Sequence, residues 1–405
     1  MSDRLLAGKR VLLGVTGGIA AYKAADLASK LAQGGAQVDV IMTEAATRFV
    51  APLTFSAVTG RPARVDMWSE PSGEAIPHVR LGTAADLAIV APLSANTLAK
   101  LALGLADNLL TATLLASVAP LVLAPAMESH MWLNPLTQAH AEALRARGAV
   151  LVGPGTGHLA SGASGVGRMA EPAEILAAAR LLLAGSGPLR GRQVLVTAGG
   201  TQEPLDPVRY ITNASSGKMG VALAEAARDL GGQAVLVHAP LAVALPYGVQ
   251  SVPVRSAVEM REAVLARLAE SDILIGAAAV ADYRPAEAKT QKIKKGTGDL
   301  TLRLVRNPDI LAEVAGCRQQ AARLRAVIGF AAETQDLRSN AAAKLAAKKL
   351  DIIAANDVTE PGSGFGSEDN RATLLFRDGR EEALPLLPKA EVARRILEAA
   401  LPLLA

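Results

Sequence analysis

The sequence predicts an α/β protein made of two consecutive Rossmann-like, doubly wound domains. Three observations lead there. Short apolar runs alternate with helical patterns of ten or more residues, the spacing of parallel strands joined by crossover helices. The alternation breaks at Ala184-Gly185-Ser186-Gly187-Pro188 and then starts afresh. Both series open on an apolar run that ends in a glycine pair, Gly17-Gly18 in the first and Gly199-Gly200 in the second. The expected boundaries are a first domain over 1–183, a linker over 184–191 and a second domain over 192–405. A length of 405 residues, half of them apolar and a fifth charged, suits two cores of ordinary size.

In the first domain, Val11–Val15 reads as a strand followed by a helix over Ala20–Gln33, which Gly34-Gly35 stops. Further strands are expected at Val38–Met42, Leu87–Val90, Leu121–Leu123 and Val150–Val152, with helices over Asn96–Leu103 and Pro135–Arg147. The second series starts with a strand at Gln193–Thr197, a helix over Lys218–Leu230 and a strand at Ala234–His238. Strands at Ile273–Gly276, Val327–Phe330 and Ile352–Ala354 follow. The Gly/Ser-rich segment Pro361–Asn370 reads as a loop, and Thr373–Arg377 with Asp378-Gly379 as a closing hairpin.

Composition narrows the function. Aromatic residues are only 3%, and the net charge of +4 comes with no Lys/Arg tract interleaved with aromatics, so a nucleic-acid partner is not expected. One cysteine, Cys317, excludes a disulfide framework within the chain and a Cys-rich metal site. The most apolar stretch, Leu101–Met127, contains Asp107, Asn108 and two prolines and reads as a buried helix plus strand rather than a membrane span. The start, Met1-Ser2-Asp3-Arg4, has an acidic residue and runs into a strand, unlike a signal peptide. A soluble cytoplasmic protein is expected.

A glycine pair between strand and helix lets backbone N–H groups approach a phosphate with no Cβ in the way, and equally lets the chain reverse direction. Two such turns suggest two phosphate-bearing ligands. Other clusters in the first domain follow strand ends, where α/β sheets place ligands. Pro92-Leu93-Ser94-Ala95-Asn96-Thr97 offers hydroxyls and an amide that serve either as helix caps or as ligand contacts. Pro125-Ala126-Met127-Glu128-Ser129-His130-Met131-Trp132 suits core packing or the wall of a flat ring system. His78, in Ile76-Pro77-His78-Val79, is either a structural hydrogen-bonding residue or a base.

In combination and order, Gly-Gly-Ile-Ala, Ile-x-His, Pro-x-Ser-Ala-Asn-Thr and Pro-Ala-Met-x-x-x-Met-Trp resemble the flavin-dependent cysteine decarboxylases. Within these, the match is to the phosphopantothenoylcysteine decarboxylase half of the bifunctional coenzyme A biosynthesis family, over the whole first domain. The resemblance implies a flavodoxin-like flavoprotein domain. FMN would lie across Gly17, Gly18, Ile19, Ala20, Thr43, Ser94, Ala95, Asn96 and Thr97, with His78 as the base. It further implies hydride transfer to the flavin, loss of carbon dioxide from a thioaldehyde, and return of the hydride to give phosphopantetheine. Two positions depart from the family pattern. Glu128 stands where an Asn usually contacts the substrate carboxylate. Ser161, in the clamp Leu159–Met169, stands where a Cys usually protonates the intermediate, and a serine hydroxyl is a far weaker acid than a thiol. Protonated Glu128, His130 or a water could supply that proton.

The second domain carries its own clusters. Ser215-Ser216-Gly217-Lys218 precedes a helix and offers hydroxyls, N–H groups and a cation to a phosphate. Ala277-Ala278-Ala279-Val280-Ala281-Asp282-Tyr283 leaves the strand Ile273–Gly276 with side chains small enough for a base or sugar to lie against the backbone. The basic run Lys289–Lys295 is either a solvated face or a flap over a triphosphate. Lys344 and Lys348, one turn apart, repel unless an anion lies between them.

Ala-Ala-Val-Ala-Asp-Tyr, Lys-Ile-Lys-Lys, Asn-Pro-Asp-Ile (Asn307, Pro308, Asp309, Ile310) and Phe-Ala-Ala-Glu-Thr (Phe330–Thr334) resemble the phosphopantothenate–cysteine ligase domain of the same bifunctional family, over residues 190–400. The resemblance implies activation of phosphopantothenate by CTP as an acyl-cytidylate, followed by attack of L-cysteine. Asn213 would hold the acyl intermediate and Lys292 would reach in from the flap. Ala277, Ala278, Ala279, Asp282, Asn307–Ile310, Phe330, Lys344 and Lys348 would bind CTP, with Mg²⁺ on the triphosphate. Homo-oligomers are implied too, trimeric through the flavin domains and dimeric through the ligase domains. Two rival readings are a ligase whose flavin domain is inert or stops at the enethiol, and a regulatory binding protein built on the flavin fold.

Overall fold

The computed structural model describes residues 5–68, 76–294, 300–333, 337–357 and 366–404. Lys295, Thr334 and the first half of the Pro361–Asn370 segment lie outside these residues. The chain divides into two compact units, Met1–Ala184 and Gly185–Ala405.

The first unit is built on five parallel strands in the order Gln37–Met42, Arg10–Val15, Leu87–Leu93, Leu121–Pro125 and Val150–Leu151. All seven residues of Leu87–Leu93 are buried, as a strand covered on both faces requires. This strand runs three residues past the expected Val90. Its ladder is irregular between Val90 and Leu93, around Pro92, which has no N–H to give. Thr16 bridges the gap: its hydroxyl donates to the Pro92 carbonyl at 2.7 Å and accepts the Ser94 N–H at 2.9 Å. The order reverses between Arg10–Val15 and Leu87–Leu93, which opens a crevice at their carboxyl ends. Leu12, Ile41, Val90, Leu98, Leu123 and Leu144 form part of the core.

The apolar stretch 101–127 resolves into the end of helix Ala95–Leu103, a helix Leu109–Leu115 and the strand Leu121–Pro125. Asn108 starts the middle helix through a capping box with Thr111. Among the described residues, no helix is long and apolar enough to cross a membrane.

The second unit holds an eight-stranded sheet. Six parallel strands run in the order Gln250–Pro253, Gln233–His238, Gln193–Ala198, Ile273–Gly276, Ala326–Glu333 and Ile352–Asp357. The hairpin Thr373–Phe376 and Glu381–Ala383 adds two antiparallel strands, with Gly379 at φ 86° in its turn. The order reverses between Gln193–Ala198 and Ile273–Gly276, so a second crevice opens there.

Helices Pro172–Leu183, Ala257–Leu265 and Lys389–Ala400 were not among the expected elements. The last buries Val392, Ala393, Ile396, Leu397 and Ala400 on one stripe. Ala184–Ser186, expected as linker, forms a single 3₁₀ turn directly after Pro172–Leu183. Short antiparallel ribbons flank both sheets: Gly155–His158 with Ser164–Arg168, Gln202–Pro204 with Tyr210–Thr212, and Tyr283–Pro285 with Leu304–Arg306.

Candidate active sites

The first unit holds a cavity of about 540 Å³ at its crevice. Gly17, Gly18, Ile19 and Ala20 line it from the turn after the first strand, and Ser94 and Ala95 from the start of the next helix but several. The two glycines do different work. A Cβ on Gly17 would sit 2.6 Å from the Ala45 Cβ, so Gly17 is there for close packing. A Cβ on Gly18 would meet nothing within 4 Å, so its backbone faces open cavity. No side chain caps the helix Ala21–Gln33, which leaves its N-terminal dipole for an anion.

Four expected contacts do not line this cavity. Thr43 caps the short helix Glu44–Thr47 by accepting the Ala46 N–H at 3.3 Å. Thr97 is buried, its N–H donating to the Ser94 hydroxyl at 3.3 Å, and Asn96 is exposed beside it. His78 lies in the first turn of helix Pro77–Ala84. Its Nδ1 is buried with no hydrogen-bond partner among the described residues, a costly state that calls for a functional explanation.

The far wall is the ribbon expected as a clamp. Its base is locked to the loop that carries Glu128: the Met127 N–H donates to the Gly167 carbonyl at 3.0 Å and the Ser129 hydroxyl to the Val166 carbonyl at 2.7 Å. Two glycines permit the approach. A Cβ on Gly165 would fall 2.3 Å from the Ser129 Oγ, and one on Gly167, at φ 149°, would fall 2.1 Å from the Met127 oxygen. The tip, closed by the Leu159 N–H on the Ala163 carbonyl at 2.8 Å, presents an exposed Ser161 to the cavity. The Glu128 carboxylate lines the same cavity and accepts the His130 N–H at 2.6 Å, capping helix Ser129–Leu133.

Sequence reasoning missed two cations here. Lys23 and Arg168 both line the cavity, and both pair with Glu171, at 2.7 and 2.9 Å. The Lys23 hydrogen bond, with help from Arg168, holds the Glu171 carboxyl below the usual carboxylate range.

The second unit holds a cavity of about 960 Å³ at its own crevice. Asn213, Ala277, Ala278, Ala279, Asp282, Asn307, Pro308, Asp309, Ile310, Phe330, Lys344 and Lys348 all line it, brought together from five separate stretches of chain. The alanine run is held by its backbone. The Ala278 N–H donates to Thr197 Oγ1 at 3.2 Å, the Ala279 N–H to the Gly199 carbonyl at 2.9 Å, and the Ala281 N–H to Thr201 Oγ1 at 3.0 Å. Asn307 buttresses it: its amide donates to the Ala281 carbonyl at 2.7 Å, its N–H to the Asp282 carbonyl at 2.8 Å, and its Oδ1 accepts from Arg284 at 3.0 Å. The Asn213 amide donates to the Val280 carbonyl at 3.1 Å. Asp309 caps helix Ile310–Cys317 and pairs with Lys348 at 3.0 Å.

The second glycine pair corrects the opening expectation. Gly199, at φ 81°, makes the turn, and a Cβ on Gly200 would lie 2.5 Å from the Asn213 oxygen. Neither lines the cavity. Backbone packing, not phosphate contact, requires this pair, whereas in the first pair Gly18 is open.

Lys292 does not line the cavity either; it is exposed, in a segment moored at Lys289 and Ile293. The Lys289 N–H donates to the Leu205 carbonyl at 2.9 Å and the Ile293 N–H to Asp206 at 3.1 Å. Conversely, the cavity contains Lys389, at the head of the last helix, which sequence reasoning missed. It is 8% exposed and donates to the Ser367 carbonyl. Burial, then Lys218, pushes its pKa down from the ordinary lysine value. In sequence, a lysine opening an amphipathic helix looks like any solvated cation. Among the described residues, no group of three or more His, Cys, Asp or Glu could hold a metal ion.

Two family models match the chain one after the other. The Flavoprotein family matches residues 2–182, and the DNA/pantothenate metabolism flavoprotein C-terminal domain matches residues 189–403. The coenzyme A biosynthesis bifunctional protein CoaBC of Bacillus subtilis (strain 168) is 46% identical over 397 residues, 97% of each chain. The crystal structure of a CoaBC C-terminal domain is 40% identical, covering 54% of this chain and 98% of its own, with a TM-score of 0.46. The FMN binding protein AtHal3 is 37% identical, covering 43% of this chain and 95% of its own, with a TM-score of 0.37.

Proposed function

The chain belongs to the family of coenzyme A biosynthesis bifunctional proteins, and we propose that it ligates phosphopantothenate to L-cysteine in the second-unit cavity and decarboxylates the product in the first. The observation that carries this reading is the convergence of twelve dispersed residues on the 960 Å³ cavity.

In the ligation, the phosphopantothenate carboxylate attacks the α-phosphorus of CTP and pyrophosphate leaves. The cysteine amine then attacks the acyl carbon of the mixed anhydride and CMP leaves. Lys218, Lys344 and Lys348 offset the triphosphate charge. Ala277–Ala279 give the nucleoside a flat wall, and Phe330 and Asp282 hold its other side. The Asn213 amide, fixed on Val280, holds the acyl group, and Lys292 meets the leaving pyrophosphate. Mg²⁺ typically keeps substrate phosphates and waters as ligands, and it would ride on the CTP triphosphate.

For the decarboxylation, the open backbone at Gly18 and the uncapped helix at Ala20 fit the phosphate end of FMN. Bound there, FMN supplies the hydride acceptor that makes loss of carbon dioxide feasible. His78 takes the proton from the substrate. It lies off its own chain's cavity lining, which favours a flavin site shared between the subunits of a trimer, with the ligase units pairing as dimers. Ser161 and Glu128 border the reacting end of the substrate. The substrates are charged small molecules, which suits a cytosolic enzyme.

CTP labelled at its α-phosphate tests the ligase reading. Label is expected in CMP, and in a bound acyl-cytidylate when cysteine is withheld; label in CDP would contradict it.

A further inference from the structure

We propose that Asp206 is a positioning residue for the ligation, acting with Arg209 as an anchor that presents Lys292 to the cavity Asn213 enters. The inference rests on the ligase reading above.

Asp206 is 2% exposed, and its two carboxylate oxygens have separate tasks. Oδ1 accepts the N–H groups of Val208 and Arg209 at 2.8 and 2.9 Å, which makes a local turn. Oδ2 has no part in that turn. It accepts Nε and Nη2 of Arg209, at 3.0 and 2.5 Å, and the N–H of Ile293 at 3.1 Å, 87 residues away in sequence. Arg209 Nη2 also donates to the Ile293 carbonyl at 2.7 Å. Both backbone groups of the residue next to Lys292 are therefore held by one ion pair.

The same turn feeds the active site from the other side. Arg209 is followed by the strand Tyr210–Thr212, paired with Gln202–Pro204, and the strand delivers Asn213 to the cavity. A second mooring, the Lys289 N–H on the Leu205 carbonyl, fixes the near end of the basic segment. The distance between the acyl-holding amide and the segment that carries Lys292 is thus set by a rigid unit four residues from Asn213. Two guanidinium N–H groups converging on the one oxygen Oδ2 suit this, because charge-assisted bonds from two positions of a planar group fix direction as well as distance. The carboxyl is held well below its ordinary pKa, chiefly by the Arg209 hydrogen bond.

Asp206→Asn separates the two tasks. Its Oδ1 can keep the turn, while the amide nitrogen replacing Oδ2 meets three donors and cannot accept them. Steady-state ligation, with decarboxylation by the same preparation as a folding reference, is measured for Asp206→Asn, Lys292→Gln and the double variant. Amide hydrogen exchange over 289–294 is followed in parallel. Ligation kcat should fall about tenfold, as for lost hydrogen bonds to a charged group, with the KM for CTP little changed. The double variant should be no slower than Lys292→Gln alone, and protection at Ile293 should drop. Arg209→Lys, which keeps a charge but loses the planar group, should behave alike. Wild-type kcat in Asp206→Asn, or losses that multiply in the double variant, would overturn the proposal. Failure of the ligase reading looks different: the wild type itself would show no CTP-dependent ligation.

Discussion

In the second unit, Asn213, Asp282, Asn307, Phe330 and Lys348 arrive from separate stretches and meet around one cavity, whereas in the first unit His78 and Asn96 lie off the cavity that Gly18, Ser94 and Met127 line. The contrast extends to the backbone. The alanine run of the second cavity is bonded residue by residue to Thr197, Gly199 and Thr201, while the clamp of the first is locked only at its base and carries Ser161 at an exposed tip. The two units use one architectural rule, a crevice where strand order reverses, for two kinds of site. In the second unit most of the expected residues gather on one cavity, whereas in the first the buried Nδ1 of His78 has no hydrogen-bond partner among the described residues.

The contrast breaks most sharply at His78. His78→Asn should lower decarboxylation by about 10²-fold or more, as expected for a general base, while CTP-dependent pyrophosphate release is retained. Retained carbon dioxide release would remove His78 as the base. Lys292→Gln is the mirror experiment: ligation should fall about 10²-fold with decarboxylation of supplied phosphopantothenoylcysteine unchanged. If turnover is unaffected, the basic run is a solvated face.

The two first-unit glycines should also part company. Gly17→Ala forces a Cβ against Ala45 and should cost about 1–3 kcal/mol in a denaturant melt of that unit. Gly18→Ala should leave the melt within about 0.5 kcal/mol, since nothing lies near the new methyl, and instead weaken FMN retention after dialysis. Equal effects on both readouts would deny Gly18 its place beneath the cofactor. Ser161→Cys should speed decarboxylation, because a thiol is the stronger acid; no change would mean that the proton comes from elsewhere.

The smallest effect concerns pH. Because the Lys389 pKa is depressed, its charge is present below that lowered value and is lost as pH rises through it, before an ordinary lysine deprotonates. CTP binding should weaken on the alkaline side, and Lys389→Arg should remove that limb of the profile. An identical profile in both proteins would show that Lys389 does not face the nucleotide.

Most strands were readable from sequence because a buried parallel strand is a plain apolar run, and Leu87–Leu93 exceeded its expected end only because Pro92 interrupted the signal. Most of the residues lining the second cavity were readable because they fall in contiguous motifs at strand ends. Lys389 was not, since its meaning depends on a helix folding back from the end of the chain. Gly165 and Gly167 were not either, because their role is defined by the Met127 and Ser129 atoms they approach. The glycine pairs show the limit best. Gly17-Gly18 and Gly199-Gly200 look alike in sequence, and only the neighbouring Asn213 carbonyl shows that Gly200 is filled space and Gly18 is open.

The central claim is that one chain holds two linked chemistries, and stoichiometry tests it most directly. Purified protein loaded with FMN is given phosphopantothenate, L-cysteine and CTP, and pyrophosphate and carbon dioxide are counted together. Equal amounts of both, with phosphopantetheine as the end product, are predicted. Pyrophosphate released while phosphopantothenoylcysteine or its enethiol accumulates without matching carbon dioxide or phosphopantetheine would contradict it.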